Sequence, residues 1–338
     1  SDVYKRQSLG MPMAIYGYPL AIWLGPHYSG VIGLDLATVG LILMLARFTD
    51  VITDPLIGEL SDRWKTPFGR RKHWLIIGMP VMLFGIYKLF IPSPDAGLIY
   101  MLVWLTVFFL GSTMIALPHR AWGAELSSDY HQRSRVTAGR EFYVLAGLLL
   151  AATVPLVVEV LADGGDSVIA VLSKIWNDAT GAFTGEIMNA VPVDRGTLTG
   201  PVLYWLAIVV IGMLPVAAAV CFLLVKEPPV PATASNVSMK ESFSHLMKNG
   251  PMVRVLIIVL LVQFGESFRN AVSLFFIADI VGVPTIGAAY FFYFVAGLAA
   301  IPFWLFLGRK FGKHKAFMMT LITVACVRLV ASAAFVRV

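Results

Sequence analysis

The feature that most constrains this chain is a succession of long apolar segments separated by polar loops. A helix needs about 20 mainly apolar residues to cross the hydrocarbon core of a bilayer. Because the bilayer interior cannot satisfy free backbone groups, such segments are predicted to be helices. The segments predicted to span the membrane are residues 9–30, 36–60, 73–92, 97–117, 136–161, 200–224, 253–279, 285–307 and 316–337.

The composition agrees with this interpretation and excludes other classes of protein. Hydrophobic residues make up 58% of the 338 residues and charged residues 14%, against about 45–50% and 25% in soluble domains. The net charge of +6 is therefore not a nucleic-acid footprint, and no nucleic-acid partner is expected. The predicted fold class is an all-α polytopic membrane protein.

The distribution of basic residues predicts how the chain is oriented. Lys and Arg are enriched in cytoplasmic loops, and here they occur almost entirely in every second loop. The N-terminus is therefore predicted to be cytoplasmic, in a multi-pass protein of the inner (plasma) membrane. The basic loops contain Arg63, Lys65, Arg70, Arg71 and Lys72, then Arg120, Arg133 and Arg135, then Lys226, Lys240 and Lys248, and finally Arg309, Lys310, Lys313 and Lys315.

A motif repeated in two predicted cytoplasmic turns indicates the domain organisation. Residues 58–63 and 68–72 read Gly-Glu-Leu-Ser-Asp-Arg and Phe-Gly-Arg-Arg-Lys, and residues 308–313 read Gly-Arg-Lys-Phe-Gly-Lys. The turns are six predicted helices apart, which indicates two six-helix halves related as parallel repeats. The expected organisation is an artefactual leader over 1–7, an N-terminal six-helix bundle over 8–224, a cytoplasmic linker over 225–250 and a truncated C-terminal bundle over 251–338, with about three helices missing.

Three charged residues on the second predicted helix are candidates for a cation site. Arg47, Asp50 and Asp54 are three and four residues apart, a spacing that places them on one helix face. A charge near the bilayer centre costs at least about 2.5–3.5 kcal/mol, so they are expected to face protein or a cavity. A bound Na⁺ or a proton would relieve the repulsion between the two carboxylates and so favour one conformation. The alternative is a satisfied Arg47–Asp50 pair, with Asp54 capping the cytoplasmic turn.

Other polar and aromatic residues in the apolar segments are candidates for contact with a solute. Glu266 and Arg269 lie in the seventh predicted helix, where they either neutralise one another or line a central cavity. Tyr18 is a candidate for stacking on a sugar ring. Its neighbours Tyr16, Trp23 and Tyr28 share that possibility, with packing as the alternative for all four.

The first copy of the repeated turn is also a candidate gate. Asp62 can cap neighbouring helix ends, and the arginines can hydrogen-bond exposed carbonyls and acidic groups across the two halves. Such contacts would break when the cytoplasmic side opens. The alternative is that the basic residues only mark the cytoplasmic side. The gating candidates are Asp62, Arg63, Gly69, Arg70 and Arg71.

The turn at 58–72 resembles the cytoplasmic signature of the major facilitator superfamily. More narrowly, residues 47–58, Arg-Phe-Thr-Asp-Val-Ile-Thr-Asp-Pro-Leu-Ile-Gly, resemble the glycoside-pentoside-hexuronide:cation symporters, the melibiose permease family. Residues 118–140 do so as well, and Arg140 resembles that family's helix-5 arginine. The resemblance implies a symporter of sugars or related solutes, and no enzyme. It implies no cofactor beyond a coupling Na⁺ or H⁺.

Arg140 and two alanines refine what the resemblance implies. Arg140 would donate bidentate hydrogen bonds to a solute or pair with Asp50, the alternative being an interfacial anchor. The permease pattern has a helix-4 aspartate where this chain has Ala116, and a helix-1 aspartate where it has Ala14. A galactoside is therefore not expected, and H⁺ or a weaker Na⁺ site becomes the expectation. The protein is expected to be a monomer in the lipid bilayer.

Two alternative functions remain open from the sequence. A transporter of the same fold could carry lipids or lysolipids, since the sugar-binding aspartate is absent. A prenyltransferase-like intramembrane enzyme would use an aspartate-rich helix such as that of Asp50 and Asp54 to bind Mg²⁺-diphosphate. Such an enzyme needs a second aspartate cluster on a later helix, which the sequence lacks.

Overall fold

The computed structural model describes residues 7–64, 66–67, 69–125, 130–162, 173, 177, 195–225, 239–275 and 286–335. These residues are almost entirely helical, and their only β-type pairing is an isolated bridge between Thr66 and Gly69. The helices are α1 Gly10–Ile22, α2 Leu24–Gly30, α3 Leu36–Arg63, α4 Lys72–Phe90, α5 Leu98–Glu125, α6 Tyr130–Ala162, α7 Arg195–Leu224, α8 Met239–Lys248, α9 Gly250–Phe275, α10 Ile286–Phe311 and α11 Lys313–Phe335. The predicted all-α class is confirmed.

The long helices follow the predicted spans closely. Among the described residues, seven helices are long and apolar enough to cross a membrane. The first predicted span is instead divided at Trp23 into α1 and α2. Pro26 has no amide proton to donate to the carbonyl of Ile22, which gives the interruption a local cause. Within the described part of α11, His314–Cys326 is apolar.

The short helix α8 lies within the predicted linker and was not expected there. Its apolar positions 239, 243, 246 and 247 recur at the spacing of one helix face. It is joined to α9 by the single residue Asn249, whose side-chain oxygen accepts a hydrogen bond from the Met252 amide at 3.2 Å. The remaining linker residues 226–238, most of the 163–194 loop and residues 1–6 lie outside the described residues.

The chain forms two compact units, Ser1–Phe291 and Phe292–Val338. In the first unit α5 packs against both α3 and α4, while α1 packs against α6 and α7. Glycine makes the α4–α5 contact close, because a Cβ atom on Gly111 would lie 2.5 Å from the Met82 nitrogen. The second unit contains most of α10 and all of α11. The domain boundaries given in the sequence analysis stay a prediction.

The repeated turn has a matching backbone feature in both copies. Gly69 has φ +109° and Gly312 has φ +84°, values in the left-handed region that glycine adopts without steric cost. Each glycine follows a phenylalanine and precedes a basic residue. In the first copy, the Thr66 hydroxyl donates to the Gly69 carbonyl at 2.7 Å and closes the turn. The sequence repeat is therefore also a repeat of backbone conformation.

Candidate cation and solute site

The candidate cation site is built where α3 packs against α5. Asp54 lies on α3, nine residues before that helix ends at Arg63. Its Oδ1 atom accepts a hydrogen bond of 2.9 Å from the hydroxyl of Thr113 on α5. Thr113 is buried, so this bond joins the two helices in the interior of the unit. A carboxylate that accepts such a bond is oriented by the neighbouring helix and not by its own.

Asp50 lies one turn before Asp54 and is only partly neutralised. An Nη atom of Arg47 approaches its Oδ2 atom at 3.3 Å, and the guanidinium also lies 4.2 Å from the centre of the Phe109 ring. The other oxygen, Oδ1, is buried without a hydrogen-bond partner. The hydroxyl oxygen of Thr53 is also buried without a hydrogen-bond partner. Polar atoms left without partners in a buried position are costly unless a ligand or water satisfies them.

The charges of this segment do not balance. Residues 47–54 contain one arginine and two aspartates, which leaves a formal charge of −1. The oxygen atoms of Asp50, Asp54, Thr53 and Thr113 are hard ligands of the kind that small hard cations prefer. In the part of the chain that the structure describes, no group of three His, Cys, Asp or Glu side chains could hold a metal ion.

The aromatic residues of α1 and α2 are buried in the first unit. Tyr16, Tyr18, Trp23 and Tyr28 each expose 9% of their surface or less. The ring of Tyr18 packs edge-to-face against Tyr290 at 5.5 Å. The hydroxyl of Tyr28 donates to the Leu89 carbonyl at 3.2 Å. These contacts describe packing, and a role in stacking on a sugar stays a prediction.

Arg140 and the charged pair of α9 have described partners within their own helices. Arg140 donates to the neighbouring Glu141 carboxylate, with an Nε–Oε1 distance of 3.1 Å, while Asp50 contacts Arg47. Arg269 donates to Oε2 of Glu266 from Nε at 2.9 Å and from Nη2 at 2.6 Å. The α9 residues thus neutralise one another, and both keep more than a third of their side chains exposed.

The candidate gate brings together most of its predicted residues. Nη2 of Arg71 lies 3.2 Å from Oδ1 of Asp62, and Nη1 of Arg70 lies 3.8 Å from the same oxygen. Arg71, which is buried, also donates to the carbonyl of Pro118 on α5 at 3.5 Å. Arg63 instead pairs with Glu59 at 2.6 Å along its own helix.

Lys72, which was not among the gate candidates, extends this arrangement to a fourth helix. Its Nζ atom donates to the carbonyl of Phe222 near the C-terminus of α7 at 2.7 Å. The last four carbonyls of a helix have no intrahelical donor, so a lysine at this point satisfies one of them. Together, Arg71 and Lys72 tie the ends of α3, α4, α5 and α7.

Comparison with known proteins decides the family. A family described as "MFS/sugar transport protein" matches residues 8–335. The chain belongs to this family.

Named relatives of this MFS chain come from bacteria and from a vertebrate. It is 35% identical over 147 residues to an uncharacterized symporter, sll1374, of Synechocystis, covering 41% of the chain and 27% of the relative. It is 26% identical over 268 residues to the inner membrane symporter YicJ of Escherichia coli, covering 78% and 51%. It is 24% identical over 315 residues to a sodium-dependent lysophosphatidylcholine symporter, 1-B, of Danio rerio, covering 91% and 59%. The chain thus spans between about a quarter and three-fifths of these relatives.

Membership of the MFS family settles several predictions. The resemblance to the superfamily and to its cation symporters is confirmed, because the family match covers nearly the whole chain and the relatives are named symporters. The chain is a multi-pass membrane protein of a transporter family. The same names confirm the expectation that the protein is not an enzyme, and they exclude the prenyltransferase alternative. The predicted orientation of the N-terminus stays a prediction.

Thr113 is the site residue that the sequence interpretation missed. From the sequence, Ala116 on α5 was interpreted as the position where the permease pattern has an aspartate and this chain does not. Thr113 lies three residues earlier, on the same face of the helix, and its hydroxyl reaches Asp54. The available signal was the polar pair Ser112-Thr113 inside an otherwise apolar segment.

Proposed function

We propose that this MFS protein is a secondary active transporter that moves an organic solute together with a cation, Na⁺ or H⁺, by alternating access. The observation that carries the proposal is the excess carboxylate of α3. Asp50 contacts Arg47 and keeps a buried oxygen without a partner, while Asp54 accepts a hydrogen bond from Thr113 on α5.

The cation would act by changing the balance between conformations. Without it, the negative charges of Asp50 and Asp54 repel each other across one helical turn, and attraction to Arg47 offsets only part of that repulsion. Binding of a cation between the carboxylates removes the repulsion and holds α3 against α5 through Thr113. A ligand shifts a conformational equilibrium by its difference in affinity for the two states, so the cation favours the state in which these oxygens converge.

For the solute we propose a sugar or a sugar-like molecule. The description of the family and the symporter motif of residues 47–58 support this choice. Arg140, Glu266 and Arg269 remain partly exposed and can exchange their present partners for hydroxyl or carboxylate groups of a solute. Tyr18 would add an aromatic face. A galactoside is disfavoured, because Ala14 stands where the permease pattern has its binding aspartate.

A lysolipid is the second candidate. A sodium-dependent lysophosphatidylcholine symporter is similar over 91% of the chain, a longer match than that to the bacterial YicJ. Alanine at position 14 also lacks the carboxylate with which the permease pattern binds a galactoside, and it adds no polar group that an acyl chain would have to avoid. Cotransport of a lysolipid with a cation bound at the same site is therefore consistent with the arrangement of charges.

On the cytoplasmic side, we propose a gate formed by Asp62, Gly69, Arg70 and Arg71. We also propose that the protein lies in the inner membrane with its N-terminus on the cytoplasmic side. Arg71 is the residue on which the gate depends most, since it contacts both Asp62 and the Pro118 carbonyl. These contacts join helices of the predicted N-terminal bundle, and contacts from the same basic side chains to the C-terminal half would separate when the cytoplasmic side opens. The alternating distribution of basic loops supports the orientation.

An uptake assay in proteoliposomes tests the proposal and separates the two solutes. Radiolabelled glycosides, pentosides, uronates and lysophosphatidylcholine are offered with an inward gradient of Na⁺, of H⁺ or of choline as the inert cation. We expect uptake of one solute class to be stimulated by Na⁺ or H⁺ and not by choline. Stimulated uptake of lysophosphatidylcholine alone would select the second candidate. Uptake that is the same under all three gradients would contradict cation coupling.

A further inference from the structure

Tyr16 connects α1 to the part of α5 that forms the cation site. Its hydroxyl shares a hydrogen bond of 2.8 Å with the hydroxyl of Ser112. Ser112 is followed by Thr113, the residue that donates to Asp54 at 2.9 Å. Successive residues of a helix point about 100° apart, so this short stretch of α5 faces α1 with one hydroxyl and α3 with the next. Two hydrogen bonds through adjacent residues therefore join three helices.

Aromatic packing provides a second connection between the same helices. The ring of Tyr16 meets Phe108 edge-to-face at 5.2 Å, and Phe108 meets Phe109 at 5.3 Å. The guanidinium of Arg47, the partner of Asp50, lies over Phe109 at 4.2 Å. Both phenylalanines are almost completely buried, and close-packed side chains transmit a displacement because they have no free volume to absorb it. Both ends of the charged segment of α3 are thus connected to one tyrosine of α1.

We propose that Tyr16 is a positioning residue that couples the occupancy of the cation site to the position of α1, the helix that carries Tyr18. This inference rests on the proposed cation site. A cation bound at Asp54 changes what the Thr113 hydroxyl donates to, and any resulting movement of α5 reaches α1 through Ser112 and Tyr16. A hydrogen bond of ordinary strength corresponds to a coupling of about five-fold between the two sites. Tyr16 needs no contact with the cation or the solute for this role.

The test compares Tyr16 with Tyr28, because the hydroxyl of each forms one hydrogen bond to another helix. Tyr16→Phe and Ser112→Ala each remove the bond between α1 and α5, while Tyr28→Phe removes the bond from α2 to the Leu89 carbonyl and serves as the control. Each variant is placed in lipid nanodiscs. Binding of ²²Na⁺ is measured, and amide hydrogen exchange of residues 10–22 is followed with Na⁺ and with choline.

In the unmodified protein, we expect Na⁺ to bind and to change exchange in residues 10–22. Tyr16→Phe and Ser112→Ala should retain Na⁺ binding within about five-fold and lose the part of the change in α1 that passes through the hydroxyl bond, because both keep the ring packing on Phe108. The double variant should be no worse than either alone. Tyr28→Phe should keep the full change. A full response in both Tyr16→Phe and Ser112→Ala would overturn the inference and leave the cation site intact. Absence of Na⁺ binding in the unmodified protein would overturn the inference and the Na⁺ form of the cation site, while the uptake assay with an H⁺ gradient tests H⁺ coupling separately.

Discussion

The membrane helices α3 and α9 each carry an arginine and an acidic residue three positions apart, but the two pairs are neutralised differently. In α9, two nitrogens of Arg269 donate to one oxygen of Glu266 at 2.9 and 2.6 Å. In α3, a single nitrogen of Arg47 approaches Asp50 at 3.3 Å. The same guanidinium also lies over the ring of Phe109, which accounts for its longer distance from the Asp50 carboxylate.

The second difference is the number of acidic groups. Glu266 and Arg269 sum to zero charge, whereas Asp54 adds a second carboxylate to the Arg47–Asp50 pair. A charge inside a membrane needs a partner, and the α9 pair already supplies its own. The α3 segment has one negative charge left over, and a mobile cation can balance it. The same spacing therefore accompanies a self-neutralised pair in α9 and a candidate cation site in α3.

The largest expected effect comes from removing the excess charge with Asp54→Asn. Loss of one partner of a desolvated charge pair costs about 2–5 kcal/mol, which weakens Na⁺ binding on the order of 100-fold. Na⁺- or H⁺-stimulated uptake should disappear while the protein still inserts into the membrane. Asp35→Asn is the matched control, because Asp35 belongs to α3 as its N-cap and lies outside the site. Unchanged dependence on Na⁺ and pH in Asp54→Asn would refute the difference between the two helices.

A smaller effect on cation affinity is expected from substitution of Thr113, the uncharged residue that contacts Asp54. Thr113→Ala removes the donor to Asp54, and a hydrogen bond to a charged group contributes about 1.5–3 kcal/mol. Cation affinity should therefore fall roughly 10- to 100-fold. Thr113→Ser retains the hydroxyl and should restore most of the affinity. Equal ²²Na⁺ binding by the alanine and serine variants would show that the hydroxyl does not contribute.

The helices could be predicted from the sequence because the bilayer imposes a length and an apolar composition on each span. The predicted span 200–224 corresponds to the C-terminal part of α7, and 73–92 corresponds to α4. The interruption at Trp23 was missed because a proline inside an apolar segment does not by itself show whether the helix bends or stops. Helix α8 was missed because a ten-residue helix beside a Pro-rich stretch has no such constraint.

The charged part of the site was predictable and the hydroxyl part was not. Asp50 and Asp54 stand out because carboxylates are rare in apolar segments. Threonine is common there, and its hydroxyl usually bonds a carbonyl of its own helix, as Thr106 does with Leu102 and Thr153 with Leu149. Thr113 differs only because the packing of α5 brings it against α3. That information lies in tertiary contacts and not in local sequence.

On α9, breaking the pair should affect stability and not cation dependence. Breaking a fully buried pair costs about 3–5 kcal/mol. More than a third of each side chain is exposed here, so Glu266→Gln should cost only about 1–2 kcal/mol. The double variant Glu266→Gln/Arg269→Gln should recover much of that loss, because no charge is left without a partner. Thermal unfolding in detergent measures the effect, and a shift in the Na⁺ dependence of uptake would count against a purely structural pair.

The smallest expected effect concerns Asp35, a carboxylate that is fully satisfied without a cation. Its Oδ2 atom accepts bonds from the Thr38 amide and hydroxyl, each at 2.9 Å, and the amide bond holds the pKa of Asp35 below its ordinary value. A carboxyl with a lowered pKa stabilises the fold above its unfolded pKa, and this contribution disappears as the pH falls below about 4. Asp35→Ala should therefore lower Tm slightly at pH 7 and not at pH 3, while Asp35→Asn, which still caps the helix, should change it less. Neither variant should alter Na⁺ binding, since Asp35 is exposed at the start of α3 and lies outside the site.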